Sequence, residues 1–147
     1  MSTKTSTITG TDFICVPVTD IDKAREFYGE ILGLEFGKQW GDMPGLEYET
    51  GNLTIAVMQS DAFGQDFAPH THPIALQVDD VEAARSQLES QGIEFAQDTL
   101  DSGVCHMAFF SDPFGNGFML HHRYAPKDAR PGDLEGDVVA SLKEGAS

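Results

Sequence analysis

Basic residues are scarce in this sequence. Lys and Arg number 9 against 24 Asp and Glu, so the formal net charge is −15. We therefore expect no nucleic-acid partner, because binding to phosphates requires clusters of Lys and Arg side chains. The negative charge favours solubility and repels other anions, but by itself it does not identify a ligand.

Long hydrophobic runs are also missing. No apolar run among the 147 residues approaches the roughly 18 residues that cross a membrane. The residues from Met1 to Thr7 lack the apolar stretch of a signal peptide. We therefore expect no membrane partner and a cytoplasmic location, and the length suits about one domain.

Cysteine is the third scarce residue. Only Cys15 and Cys105 occur, both inside predicted strands and without the spacing of a metal site. We predict that both thiols pack in the core, with a disulfide or a nucleophile as the alternative interpretations.

The sequence contains two copies of one unit. Four residues recur unchanged at an offset of 60 positions: Val18, Asp20, Ala24 and Arg25 return as Val78, Asp80, Ala84 and Arg85. Further along, Gly33-Leu34-Glu35-Phe36 returns as Gly92-Ile93-Glu94-Phe95 after a deletion of one residue. Shared residues in the same order at a nearly constant offset indicate an internal duplication.

Each unit has the pattern of one strand, one helix and three further strands. Short runs of bulky apolar residues predict the strands, and apolar residues at helical spacing predict the helices. The predicted strands are 13–18, 34–38, 45–50 and 53–59 in the first unit and 74–78, 93–97, 104–111 and 117–123 in the second. The predicted helices follow Asp20 up to Gly33 and run from Val81 to Gln91. This alternation predicts an α+β fold.

The same pattern predicts the domain organisation. We expect an N-terminal segment at 1–11, a first βαβββ module at 12–60, a linker at 61–71, a second βαβββ module at 72–124 and a polar C-terminal tail at 125–147. The linker and the tail are rich in polar residues, Pro and Gly. Residues 137–143 of the tail have a pattern that permits a short exposed helix.

The most informative segment is Asp112-Pro113-Phe114-Gly115-Asn116, a turn between two apolar runs that predicts a β-hairpin. This turn and the duplicated Val18-x-Asp20 and Leu32-Gly33-Leu34 motifs resemble the vicinal oxygen chelate superfamily, which includes glyoxalase I, extradiol dioxygenases, and fosfomycin and bleomycin resistance proteins. The resemblance covers about 12–124. It implies the glyoxalase/bleomycin resistance fold, in which two tandem βαβββ modules form a curved, cup-like sheet around the site. Exposed sheet edges and the resemblance together predict a homodimer.

The resemblance also implies where a metal would bind. Metalloenzymes of that superfamily hold a divalent ion through four side chains, typically His or Gln, Glu, His and Glu. The corresponding positions here include Phe13, Pro73 and Met119, and strand 53–59 contains no carboxylate. Phe, Pro and Met do not ligate hard cations, so we expect no cofactor at these positions. A displaced divalent metal site formed by His72, His106 and His121 remains the alternative.

Apolar side chains in place of ligands imply an apolar pocket. We expect it to bind a small apolar or aromatic molecule, as in the bleomycin resistance branch, through Phe13, Trp40, Gln59, Phe109, Met119 and His121. Tyr48, Phe63 and Phe67 are further candidates for its walls. Two enzymatic interpretations remain open. One is a metal-dependent lyase, isomerase or dioxygenase that uses the displaced histidines, and the other is a metal-free enzyme with His121 or His106 as general base.

Overall fold

A computed structural model describes residues 6–127, which divide into two compact units between Phe67 and Ala68. The helix suggested at 137–143 lies outside the described residues. Within 6–127, none of the helices has the length and apolar character needed to span a membrane.

The first unit contains a four-stranded mixed sheet, sheet 1. Its strands are β1 (Phe13–Val18), β2 (Glu35–Gln39), β3 (Gly45–Glu49) and β4 (Thr54–Gln59), in the spatial order β1-β4-β3-β2. Helix α1 (Ile21–Arg25) follows β1 and continues as a π-helical segment, Glu26–Ile31, and a 3-10 helix, Ser60–Phe63, follows β4. Strand β1 pairs with β4 in parallel, and the other pairs are antiparallel.

The second unit repeats this arrangement in sheet 2. Its strands are β5 (Ile74–Gln77), β6 (Leu100–Asp101), β7 (Cys105–Ser111) and β8 (Gly117–Arg123), in the order β5-β8-β7-β6, with helix α2 at Val81–Ser90. Strand β5 again pairs with the last strand in parallel. The α+β fold of two tandem βαβββ modules is therefore confirmed, and all but one of the strands lie within one residue of their predicted bounds.

The exception is the strand predicted at 93–97, which was wrong. Only Phe95 of this segment forms a bridge, with Phe110, and the second strand of the module is the two-residue β6 further on. The Phe95 ring packs against Phe110 at 5.3 Å and under the Arg85 guanidinium at 4.8 Å. Side-chain packing rather than a continued ladder therefore holds this segment against the sheet.

The two helices begin alike but differ in their second halves. Asp20 and Asp80 cap them by accepting hydrogen bonds from backbone N–H groups, at 3.0 Å from Asp22 and 3.0 Å from Ala83. In the first unit, the N–H of Leu32 then donates to the carbonyl of Phe27 at 2.9 Å, which is the i→i+5 bond of a π-helix. A π-helical turn holds one residue more than an α-helical turn. This accounts for the change in the repeat offset from 60 to 59 between Asp20 and Gly33.

Each sheet packs one face against its helix. In the first unit the core on that side consists of Val16, Val18, Ala24, Phe27, Tyr28, Leu46, Tyr48, Ile55 and Val57. In the second unit it includes Val81, Leu88, Ala108, Phe110, Phe118 and Leu120. Because side chains alternate along a strand, the residues between these point to the opposite side. We call that side the far face of each sheet.

The hairpin turn between β7 and β8 is confirmed and is fixed by buried polar groups. One carboxylate oxygen of Asp112 accepts from the N–H groups of Phe114 and Asn116 at 2.9 and 2.8 Å, and the other accepts from the Asn116 amide at 2.8 Å. The side-chain oxygen (Oδ1) of Asn116 accepts from the backbone N–H of His70 at 3.0 Å. The turn thus sets the register of β8, which positions Met119 and His121.

Candidate functional site

Three aromatic rings gather on the far face of sheet 1. Phe13 lies on β1, Trp40 directly follows β2, and Phe63 ends the 3-10 helix after β4. The Trp40 ring meets Phe13 edge-on at 6.3 Å and Phe63 edge-on at 5.9 Å between centroids. Phe13 is 47% exposed, although it is a large apolar side chain in a sheet. Phe13 and Trp40, two of the predicted ligand-binding residues, therefore lie in contact, and Phe63 lies beside Trp40.

Two neighbours on β3 fix the position of Trp40. Gly45 opens that strand, and a Cβ atom at this residue would overlap the Trp40 ring. The Trp40 indole N–H donates to a carboxylate oxygen of Glu47 at 2.6 Å. The missing side chain of Gly45 thus gives the indole room to lie against the sheet, and the Glu47 carboxylate sets its orientation.

Two carboxylates accompany the rings on this face. Glu47 and Glu49 are two residues apart on β3, so both point to the far face. Glu49 accepts a hydrogen bond from the Thr54 hydroxyl at 2.7 Å. Neither carboxylate forms an ion pair with any residue in the described range 6–127. The sequence patterns did not single out either residue, although Gly45, Glu47 and Glu49 alternate with the apolar residues Leu46 and Tyr48 along β3.

Cys15 also belongs to the far face of sheet 1, and the prediction that it lies in the core was wrong. It alternates with Ile14 and Val16, whose side chains face α1, so its thiol is exposed. Partial burial by neighbouring atoms raises the pKa of this thiol, which makes it a weak nucleophile near neutral pH. Cys105 is buried, as predicted.

The far face of sheet 2 carries different side chains. Met119 and His121 are two residues apart on β8, and Phe109 and Met107 on β7 pair directly with them. All four side chains are partly buried. Burial, followed by the nearby charges of Arg123 and His122, lowers the pKa of His121 from its usual value of 6.5. Its imidazole is therefore mainly neutral near pH 7 and is suited to accept a proton or to bind a metal.

The remaining predicted site residues lie elsewhere. His106 pairs with His122 and points away from the far face. Its ring packs against Tyr124 at 4.8 Å and lies 3.5 Å from Asp101. His72 lies in the loop before β5. The structure thus does not bring His72, His106 and His121 together. Within residues 6–127, no group of three or more His, Cys, Asp or Glu side chains is arranged to hold a metal ion.

Gln59 binds the start of α1 and does not lie on the far face of sheet 1. Its side-chain oxygen accepts from the N–H of Ile21 at 3.1 Å, and its amide donates to Asp61 at 3.0 Å. It pairs with Val18, whose side chain is buried under α1. Gln59 therefore joins the end of β4 to the start of α1, a role that its position at the end of a strand did not reveal.

Comparison with known proteins places the fold in a family. The sequence profile of the Glyoxalase/Bleomycin resistance protein/Dioxygenase superfamily matches residues 10–120. Among curated proteins, none matches the sequence.

Solved structures agree with this match. A protein described as a member of the glyoxalase family, from Bacillus anthracis, is 27% identical with a TM-score of 0.65, over 82% of this chain and 99% of its own. A superfamily member from Sphaerobacter thermophilus is 23% identical with a TM-score of 0.68, over 78% and 97%. A lactoylglutathione lyase from Agrobacterium tumefaciens is 15% identical with a TM-score of 0.64, over 79% and 95%. The last two show a shared fold only.

Proposed function

Because this chain belongs to the glyoxalase/bleomycin resistance protein/dioxygenase superfamily, we propose that it binds a small aromatic or apolar molecule on the far face of sheet 1. The observation that carries the proposal is the cluster of Phe13, Trp40 and Phe63 on a face that α1 leaves uncovered. Aromatic side chains offer a large apolar area and ring faces for stacking, at about 0.5–1.5 kcal/mol per ring pair beyond the buried area.

The pre-set position of Trp40 supports a binding role over simple packing. Its ring lies on Gly45, and its N–H is held by Glu47, so little side-chain freedom remains to be lost when a ligand stacks on it. A ring that is ordered before binding costs less entropy on complex formation. A ligand that contacts Phe13 and Trp40 would also remove the exposed Phe13 ring from water.

The charges on this face select among such ligands. Glu47 and Glu49 lie beside the rings and form no ion pair among the described residues. Their ladder partners on β2 are Lys38 and Glu35, so carboxylates outnumber cations on these two strands. An anionic molecule would be repelled, whereas an ammonium group would find two carboxylates and the face of an indole ring. We therefore propose that a neutral or cationic aromatic molecule is bound more tightly than an anionic one of the same shape.

Trp40 provides a direct test, because it is the single Trp of the chain and has one indole N–H resonance. The probes are 2-naphthylmethylamine, 2-naphthalenemethanol and 2-naphthoate, which share a ring system and differ in charge. We expect saturable shifts of the Trp40 indole signal with the amine and the alcohol, and weaker binding of the carboxylate. A Phe13→Ala variant should bind the amine about 2- to 10-fold more weakly, the equivalent of one ring contact.

Phe36 supplies a matched control. It is also 47% exposed, but it lies on the α1 side of sheet 1, against Tyr48 at 5.7 Å. Phe36→Ala should therefore leave probe binding unchanged. The proposal fails if none of the three probes shifts the Trp40 signal, or if the two alanine variants weaken binding equally.

We also propose a homodimer. Each sheet has two edge strands, and every residue of the edge strand β2 is exposed. Pairing or covering such an edge by a second copy is a common solution. Light scattering should give twice the monomer mass of 16.0 kDa at micromolar concentrations, and a monomer mass throughout would refute the proposal.

A further inference from the structure

We propose that the far face of sheet 2 holds a binding site for a soft monovalent cation, Cu(I) or Ag(I). Its ligands are the thioethers of Met107 and Met119 and the imidazole of His121. All three ligands lie on sheet 2, and the inference does not depend on the function proposed for sheet 1.

The register of two neighbouring strands places these three side chains together. Met107 on β7 pairs directly with His121 on β8, and Met119 precedes His121 by two residues on the same face. The Cβ atoms of directly opposed residues lie about 4.5–5.5 Å apart. Methionine has three rotatable bonds beyond Cα. Both sulfur atoms can therefore reach a common point beside the imidazole without a change in the backbone.

The donor set selects soft over hard cations. Thioethers favour Cu(I), and imidazole suits copper as well, whereas Mg, Ca and Mn require carboxylates, carbonyls and water. No carboxylate shares this face on the described strands. The far-face residues of sheet 2, read from the register, are Ala75, Gln77, Leu100, Cys105, Met107, Phe109, Ser111, Gly117, Met119, His121 and Arg123. A hard divalent ion would thus find one amide oxygen, that of Gln77 beside His121, which is too few, whereas a soft ion finds three donors.

Arg123 is the one charged side chain of this face; its charge acts on His121, but its guanidinium is bound beyond the end of β8. Its guanidinium donates to the carbonyl oxygens of Pro126 and Lys127, at 2.9 Å each, beyond the end of β8. It also contacts the sulfur of Cys105 at 3.7 Å. On the other side of Met119, the ladder partners are uncharged: Phe109 on β7 and Ala75 on β5.

Methyl resonances of methionine test the site residue by residue. The chain has five Met residues, so 13C-methyl labelling gives few signals, which Met→Leu variants assign. The protein is titrated with silver nitrate in chloride-free buffer, in a Cys15→Ser background that removes the exposed thiol. We expect the Met107 and Met119 methyl signals to shift together and saturate at one equivalent. Zinc added instead should leave both signals in place.

Matched variants make the result specific. Changes in outer-shell partners alter metal affinity about 10- to 100-fold, so loss of a ligand in Met119→Leu or His121→Gln should weaken silver binding by about 10-fold or more. Met43→Leu, at an exposed methionine of the first unit, and His122→Gln, on the opposite side of β8, should have no effect. Leucine preserves the volume of methionine, so the fold is retained.

Three results would overturn the proposal. One is a silver titration in which the methyl signals of Met43 and Met119 shift to the same extent. Another is an affinity that does not change in Met119→Leu and His121→Gln. The third is capture of silver by the Cys105 thiol alone, which would leave the Met107 and Met119 methyl signals at their metal-free positions.

Discussion

The two units share their strand order and register but not the chemistry of their far faces. Sheet 1 presents aromatic rings and carboxylates, represented by Trp40 and Glu47, whereas sheet 2 presents thioethers and an imidazole, represented by Met119 and His121. On the helix side the two sheets are alike, because both bury aliphatic and aromatic residues under a helix. Packing restricts the helix side to apolar residues of suitable shape, so the far face is where two copies of one unit can differ.

The helices show a second difference between the units. The first unit has a π-helical segment at Glu26–Ile31, whereas α2 in the second unit is α-helical throughout. The extra residue of the first unit is therefore absorbed within one turn, and Phe27 and Tyr28 stay buried against the sheet. A π-helical turn of this kind confines the extra residue to one place, so the strands that follow keep their register.

The largest expected effect follows from this difference. Deletion of Glu30, which is exposed in the π-helical segment, should convert that turn to an α-helical turn and leave a cooperatively folded protein. We expect a loss of stability of about 1–2 kcal/mol, within the range of single substitutions. Helix α2 has no π-helical turn that could take up the loss of Gln87. Its deletion therefore rotates the part of α2 before this position by about 100° relative to the part after it. That variant should show no cooperative melting transition by circular dichroism.

The two deletions control for each other. If both deletions abolish cooperative folding, the π-helical turn does more than accommodate one extra residue. Equal tolerance of both would mean that neither helix determines the register of the strands that follow it.

Most of the fold could be predicted because it depends on repeated and local signals. The recurrence of Asp20 as Asp80 located both helix starts, and each carboxylate accepts a hydrogen bond from the first turn as a cap requires. In the sequence, the π-helical turn was visible only because the offset between the two copies changes from 60 to 59 residues between Asp20 and Gly33. The second strand of the second module was predicted wrongly, because a single bridge at Phe95 and packing on Phe110 replace a ladder there.

The candidate site could be predicted only in part. Phe13 and Met119 were predicted because the family resemblance supplied their positions, and Trp40 was predicted from its size and apolar character; their role in ligand binding stays a prediction. Strand alternation indicates the face on which Glu47 lies, but it does not indicate the hydrogen bond to Trp40, a residue seven positions away on another segment. Gln59 has a suitable residue type but bonds to the start of α1 instead. Such contacts depend on three-dimensional packing, which the sequence pattern does not contain.

The second prediction compares Gly51-Asn52 of the first unit with Gly115-Asn116 of the second, a Gly-Asn pair that occurs between the last two strands of each unit. Asn116 is fully buried, donates to Asp112 and accepts from the N–H of His70, whereas Asn52 in the first unit is exposed. Asn116→Ala should cost about 3 kcal/mol, because a buried group left without its partner costs about 1–3 kcal/mol. Asn52→Ala should change stability by no more than about 0.5 kcal/mol. Urea denaturation of both variants measures the difference, and similar losses would show that the two turns are equivalent.

The third prediction concerns the aromatic face. Gly45→Ala places a methyl group into the Trp40 ring, so it should displace the indole and cost about 1–3 kcal/mol of stability. Trp40 fluorescence should shift to longer wavelength as the ring becomes hydrated. Gly117→Ala in β8 is the control, because its Cβ would meet the Thr71 carbonyl at an ordinary 3.5 Å. An unchanged Trp40 emission in Gly45→Ala would contradict the packing of the indole on this glycine.

The smallest expected effect is a pH dependence confined to the second unit, which contains all five histidines. Burial, then the charges of Arg123 and His122, lowers the pKa of His121 below 6.5. The unfolded chain therefore binds this proton more readily than the folded protein. The stability due to neutral His121 is fully present above pH 6.5 and is lost as the pH falls through the lowered pKa.

NMR titration should show His121 titrating below the usual value. In His121→Gln, the decrease in melting temperature between about pH 7 and about pH 5 should be smaller than in the parent. His122→Gln removes only the last and smallest cause of the lowered pKa of His121, so it should retain most of the decrease. Titration of His121 at or above 6.5 would contradict its partial burial on the far face of sheet 2.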